Sequence, residues 1–236
     1  MSSPFDPGLV RGLLFDIDGT LSDTDDEFVK RLARLLTPLS ARFPRLKPAV
    51  TARKLLMAAE SPINSLATWW DRLFLDELAA PVARLLPRRR GPARAEPLVP
   101  GVRAMLEQAH DRYRLGIVTA RGPRLTASFL EGTELAPWFD VAIHARTVRR
   151  TKPHPEPVLW AAAQLDLEPT ACLMIGDTTP DILAGVAAGT QTIGVLCGFG
   201  ERDELLRAGA NLTIDSTADL LDHMGRADSQ RPGGRS

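Results

Sequence analysis

Asp16 and Asp18, two positions apart and followed by Gly19-Thr20, are the first residues in this chain whose types could do chemistry. Further such groups stand far along the sequence. Thr119 and Arg121 follow one apolar run, Lys152 lies in Thr151-Lys152-Pro153, and Asp177 and Asp181 follow another run. Oxygen-only ligands suit a hard cation, and Mg2+ takes one or two carboxylates together with substrate phosphate and water. An aspartate can attack a phosphoryl group as a covalent nucleophile. A second carboxylate on the same loop could protonate the leaving oxygen and later deprotonate the attacking water. A lysine and a threonine hydroxyl could hold the non-bridging phosphoryl oxygens. Gly19 would let the chain turn sharply away from these groups.

Each piece is weak alone, so the elements that position them decide the matter. Six short apolar runs, at Leu13–Phe15, Leu115–Val118, Val141–Ile143, Cys172–Ile175, Thr192–Val195 and Leu212–Ile214, predict strands buried on both faces. Amphipathic segments at 102–112, 124–131, 156–166, 181–188 and 203–208 predict the intervening helices. Such alternation specifies an α/β fold with a doubly wound parallel sheet. In an open parallel sheet, ligands sit beyond the carboxyl ends of the strands. Asp16, Asp18, Thr119, Asp177 and Asp181 follow strand ends, and Lys152 lies in a loop on the same edge. Clustered aspartates are costly unless a cation or a shared proton compensates.

The stretch from 23 to 96 breaks the rhythm. It shows helical patterns at 27–36, 50–59 and 65–80, seven prolines and no convincing strand. That is too long for a simple crossover. The expected organisation is an α/β core at 1–22 and 97–225, an inserted helical domain at 23–96, and a disordered polar tail at 226–236. The insert carries a net charge of +5 and the remainder −5. Either this is surface scatter, or a cationic insert faces an acidic metal site and attracts anionic substrates.

With 44% hydrophobic and 25% charged residues, the composition is that of a globular protein. The 29 basic and 29 acidic residues cancel, which argues against a nucleic-acid or membrane partner. No span-length apolar stretch and no secretory pattern occur, so a cytoplasmic setting is expected. Cys172 and Cys197 are expected to be buried reduced thiols. His144, His154 and the Trp69-Trp70 pair are expected to be structural.

The run Phe15-Asp16-Ile17-Asp18-Gly19-Thr20-Leu21 resembles the first motif of the haloacid dehalogenase-like (HAD) hydrolases. Thr119, Lys152-Pro153 and Gly176-Asp177-Thr178-Thr179-Pro180-Asp181 resemble the second, third and fourth motifs, in order and spacing. The insert resembles the family's C1-type cap on its Rossmann-like core. Ala187–Val195 with Gly198-Phe199-Gly200 resembles the phosphoglycolate phosphatase and β-phosphoglucomutase-like branch. The resemblance implies Asp16 as nucleophile and metal ligand. It implies Asp18 as general acid/base, with its backbone carbonyl on Mg2+. Asp177 would be a metal ligand and Asp181 a supporting one, with Thr119 and Lys152 on the phosphoryl group. After Thr119 the chain reads Ala120-Arg121-Gly122, where the branch more often has an asparagine following the threonine, and both a substrate contact and a surface salt bridge stay open for Arg121. The function expected is a Mg2+-dependent phosphatase for a small phosphorylated metabolite, with phosphoglycolate as the branch's suggestion. A phosphomutase and a non-catalytic phosphometabolite-binding regulator are the alternatives, and the oligomeric state is left open.

Overall fold

The computed structural model describes residues 4–23 and 96–225. The chain divides into two compact units, residues 1–25 with 95–236 and residues 26–94. The body of the expected helical insert, its Trp69-Trp70 pair and the tail 226–236 lie outside the described residues.

Every apolar run singled out in the sequence is a strand: β1 Gly12–Phe15, β2 Arg114–Val118, β3 Val141–Ile143, β4 Cys172–Gly176, β5 Gln191–Val195 and β6 Leu212–Ile214. They form one sheet in the order β3-β2-β1-β4-β5-β6, parallel throughout. Among the described residues the α-helices are α1 Val102–His110, α2 Pro123–Gly132, α3 Glu156–Gln164, α4 Thr179–Ala188, α5 Arg202–Ala208 and α6 Leu220–His223.

Successive strand residues point to opposite faces, and here both faces are covered. Leu13 and Phe15 of β1 pack with Val102, Leu106 and Phe129 of α1 and α2. Leu14 points the other way, into Val158, Ala161 and Ala184 of α3 and α4. The same split divides β4, with Leu173 and Ile175 on the first side and Cys172 and Met174 on the second. Each large aliphatic side chain buried in this way contributes about 1.5–3 kcal/mol. This two-sided burial holds the strand ends in register, and the strand ends carry the site.

Helix ends depart from the expected bounds by a residue or two. α1 stops at His110, with Asp111-Arg112 in a turn, and α3 stops at Gln164 ahead of Asp166, whose φ is 55°. α4 starts at Thr179, because Thr178 caps it and Asp181 at its third position reaches back to the Thr178 N–H at 3.0 Å.

Beyond the carboxyl end of β1 the core is closed across the segment that leaves it. Ser22 pairs antiparallel with Leu98, Asp23 N–H donates to the Pro97 carbonyl at 2.8 Å, and Val99 N–H donates to Leu21 at 3.0 Å. Both cysteines are free. Cys172 is buried as expected, but Cys197 is only half-buried, because it sits in the loop after β5 and its thiol points at the Gly19 carbonyl, 3.3 Å away. Among the described residues no helix is long and apolar enough to cross a membrane.

Candidate active site

Asp16, Thr119 and Asp177 are each the residue that immediately follows a strand, and the strands are the three neighbours β1, β2 and β4. The parallel ladder reaches into the site. Asp16 N–H donates to Ile175 at 3.0 Å and Thr119 N–H to Ile143 at 2.9 Å. Backbone hydrogen bonding therefore fixes where these side chains start. Past Asp16 the chain reverses within a few residues. Gly19 has a φ of 69°, a conformation that disfavours any side chain, and the N–H groups of Leu21 and Ser22 both return to the Ile17 carbonyl.

The carboxylates of Asp16, Asp177 and Asp181 are all buried, and one oxygen from each lies within 4.8 Å of the others. Lys152 comes to this cluster from the β3–α3 loop, where the Lys152-Pro153 peptide is cis. Its Nζ donates to Asp16 Oδ1 at 2.8 Å and to the Val118 carbonyl at 2.9 Å, and forms an ion pair with Asp181 Oδ1 at 2.5 Å. Asp181 Oδ2 accepts from the Thr178 hydroxyl at 2.6 Å. Asp177 is held from both sides. Phe199 N–H donates to its Oδ2 at 2.7 Å, and the Thr20 hydroxyl donates to Oδ1 at 3.3 Å. A Cβ added at Gly198 would stand 2.2 Å from Asp177 Oδ2, and one at Gly200 would stand 2.0 Å from the Asp177 carbonyl. The Gly198–Gly200 loop is therefore moulded onto this carboxylate.

The electrostatics follow from that packing. Burial raises the Asp16 carboxyl to about 7, against the pull of Lys152 and with help from the negative charges of Asp181 and Asp18. Burial also opposes the charged form of Lys152, yet Asp16 and Asp181 outweigh it and hold the ammonium above its ordinary range. One ammonium among three buried carboxylates leaves an excess of negative charge. An all-oxygen donor set of this kind fits a hard divalent cation, so Asp16, Asp177 and Asp181 are the residues that could hold Mg2+.

Of the candidates from the sequence, the structure brings together Asp16, Lys152, Asp177 and Asp181, with Thr119 beside them at the end of β2. The Asp18 side chain is held by Arg121. Arg121 Nε donates to Asp18 Oδ2 at 2.8 Å and its Nη2 to Asp18 Oδ1 at 2.5 Å. Arg121 also grips Glu96, at 3.0 and 2.8 Å. Burial disfavours the Arg121 charge, and the two carboxylates more than offset it, raising its pKa. Glu96 has no motif around it and was placed at the end of the insert, so nothing in the sequence marks it. His144 and His154 make local contacts only: each Nδ1 takes a backbone N–H two residues on, from Arg146 at 3.2 Å and Glu156 at 3.1 Å.

Comparison with known proteins agrees with this geometry. The sequence profile of the haloacid dehalogenase-like hydrolases matches residues 13–195. A phosphoglycolate phosphatase from Salmonella typhimurium is 28% identical over 92% of this chain and 93% of its own. The pyrophosphatase PpaX of Anoxybacillus flavithermus is 30% identical over 92% of this chain and 97% of its own. A HAD-superfamily hydrolase of subfamily IA from Geobacter sulfurreducens superimposes with a TM-score of 0.62 at 22% identity, covering 95% of this chain and all of that one, and so shares the fold. The order of the four motifs, their convergence on one sheet edge and the match over most of the chain have one reading: this protein is an enzyme of the haloacid dehalogenase-like hydrolase family.

Proposed function

We propose that this enzyme is a cytoplasmic, Mg2+-dependent phosphatase that hydrolyses a small phosphorylated metabolite through an aspartyl-phosphate on Asp16. The observation that carries the proposal is the buried cluster of Asp16, Asp177 and Asp181 tied together by Lys152.

Asp16 attacks phosphorus through a carboxylate oxygen, forming the O–P bond as the bond to the leaving alkoxide breaks. Asp18 enters this step protonated, gives that proton to the alkoxide and so becomes the carboxylate that Arg121 holds. A water molecule then attacks the phosphorus of the aspartyl-phosphate, and Asp18 takes its proton. The Asp16–phosphorus bond breaks and inorganic phosphate leaves. Lys152 and the Thr119 hydroxyl bind the phosphoryl oxygens, where charge is carried throughout the transfer. Lys152 also fixes the rotamer of Asp16 before substrate arrives. Asp16, Asp177 and the Asp18 backbone carbonyl would hold Mg2+, with Asp181 in support, and the ion would supply positive charge for the phosphoryl transfer. An ionised Asp16 is what the attack requires, and a cation in the cluster favours that form over the proton that burial promotes.

The two relatives are named for different substrates, phosphoglycolate and pyrophosphate, so the substrate is read no further than a small phosphorylated metabolite, with phosphoglycolate first in the test. The test is phosphate release from phosphoglycolate, pyrophosphate, sugar phosphates, nucleotides and p-nitrophenyl phosphate, with Mg2+ and with EDTA. Release that needs Mg2+ and vanishes in Asp16→Asn is expected. Isomerisation of a sugar monophosphate without phosphate release would make the enzyme a mutase, and tight binding without turnover would make it a regulator.

A further inference from the structure

The geometry points to Arg121 as the positioning residue for Asp18, with Glu96 as the anchor that fixes Arg121. This inference deepens the proposed function and rests on its reading of Asp18 as the general acid/base.

Arg121 uses four of its five guanidinium N–H groups on these two carboxylates, two on Asp18 and two on Glu96. Such a fork sets the plane of a carboxylate as well as its position, which a lysine point charge cannot do. The guanidinium is itself held from behind. It lies 5.4 Å from the centre of the Phe129 ring, and Phe129 is buried on α2. Its backbone is pinned too: the Arg121 N–H donates to the Thr119 hydroxyl at 3.2 Å, and its carbonyl accepts from Ala145 at 2.9 Å. Glu96 is tied in turn to the Ser22 hydroxyl at 3.3 Å.

Relative depth separates positioning from substrate contact. The Arg121 side chain is 10% exposed, against 36% for Asp18 and 31% for Glu96. The arginine therefore stands behind the carboxylates, and the carboxylate it aims is the group nearer solvent. An arginine that met substrate would stand in front of them, with its donors turned outward. Of the two roles left open by the sequence, the salt bridge is the one present, but its arginine is nearly buried and four of its donors are committed to carboxylates of the chain itself.

A residue that aims the general acid matters in proportion to how badly the leaving group needs a proton. The experiment compares kcat/KM on an alkyl phosphate and on p-nitrophenyl phosphate for wild type, Asp18→Asn, Arg121→Gln, Arg121→Lys and Glu96→Gln. Circular dichroism and thermal melts accompany each variant. Arg121→Gln is expected to lose about 100-fold on the alkyl substrate and under about tenfold on the aryl one, the pattern of a misaligned acid. Arg121→Lys keeps the charge without the fork and falls between Gln and wild type. Glu96→Gln shows the same selectivity at smaller size, and it decides the matter if Arg121→Gln does not fold.

A merely structural role lowers both substrates equally, and that result in folded variants overturns the inference. A raised KM with unchanged kcat also overturns it, since it marks a substrate contact. Equal losses in Asp18→Asn itself remove the acid role and this inference with it. Selective loss in Asp18→Asn with equal losses in the Arg121 variants removes the inference alone.

Discussion

Lys152 Nζ donates to Asp16 Oδ1 at 2.8 Å, joining residues 136 positions apart. With the Val118 carbonyl as its second acceptor and Asp181 as an ion-pair partner, the ammonium stands among three oxygens. It is at once the counter-ion of the buried cluster and the brace between the ends of β1, β2 and α4.

Lys152→Met should therefore fail in two ways. It removes a phosphoryl-binding charge, and it leaves two buried carboxylates without their cation. Breaking a buried pair from one side costs roughly 3–5 kcal/mol. Urea denaturation of the metal-free variant should show a loss of that order, with phosphate release near background. A melt unchanged from wild type would show that the cluster does not depend on this ammonium.

Asp16→Asn should abolish turnover and also change how stability depends on pH. The carboxyl titrates near 3.8 when unfolded and is raised to about 7 in the fold, so between those values the folded state holds the extra proton. Its contribution to stability is fully present below about pH 4 and is lost as pH rises through about 7. Asparagine has no proton to lose. In EDTA, the Tm advantage of the variant over wild type should grow between those limits, and Mg2+ should shrink it by stabilising wild type. A constant difference across the range would show that Asp16 is not raised.

Gly198→Ala and Gly200→Ala should weaken Mg2+ binding, because each new Cβ would displace Asp177. Gly122→Ala is the control: no atom would lie within 4 Å of its Cβ, and its φ of −75° suits any residue. Mg2+ titration followed by the rise in Tm should show weaker stabilisation in the first two variants and none of that loss in the third.

The two thiols should differ sharply towards a disulfide reagent. Burial raises the Cys172 thiol to about 12, so almost no thiolate exists at pH 8. Cys197 is also raised, chiefly by burial, but it is the more accessible of the two. Labelling of the folded protein should stop at Cys197, and Cys172 should react only on unfolding. Equal rates would contradict the packing around β4.

The six strands were legible because two-sided burial leaves short β-branched apolar runs, and the strand-end rule then brought Asp16, Thr119 and Asp177 to one edge. Lys152 was legible only through its place in a loop on that edge, since nothing about a lysine before proline announces a buried ammonium. Arg121 was visible as a residue and illegible as a partner. Its clamp on Asp18 depends on β1 lying beside β2 in the register that pairs Phe15 with Ile117, and strand order is not written in local pattern. Glu96 was less legible still, lying in a linker where charge is ordinarily a solvated face. The Gly198–Gly200 contact with Asp177 is a matter of close approach, which a glycine in sequence permits without specifying.

The hydrogen bonds between Leu21–Asp23 and Pro97–Val99 give residues 24–95 the character of a cassette. The chain leaves and rejoins the core at a seam closed by backbone hydrogen bonds, the outermost described one running 2.8 Å from Asp23 N to the Pro97 carbonyl. Lengthening or exchanging what lies between costs little in loop closure, about 0.6 kcal/mol per doubling. The backbone pairings that set β1 against β2 and β4, and with them the starting points of Asp16, Thr119 and Asp177, lie outside that cassette.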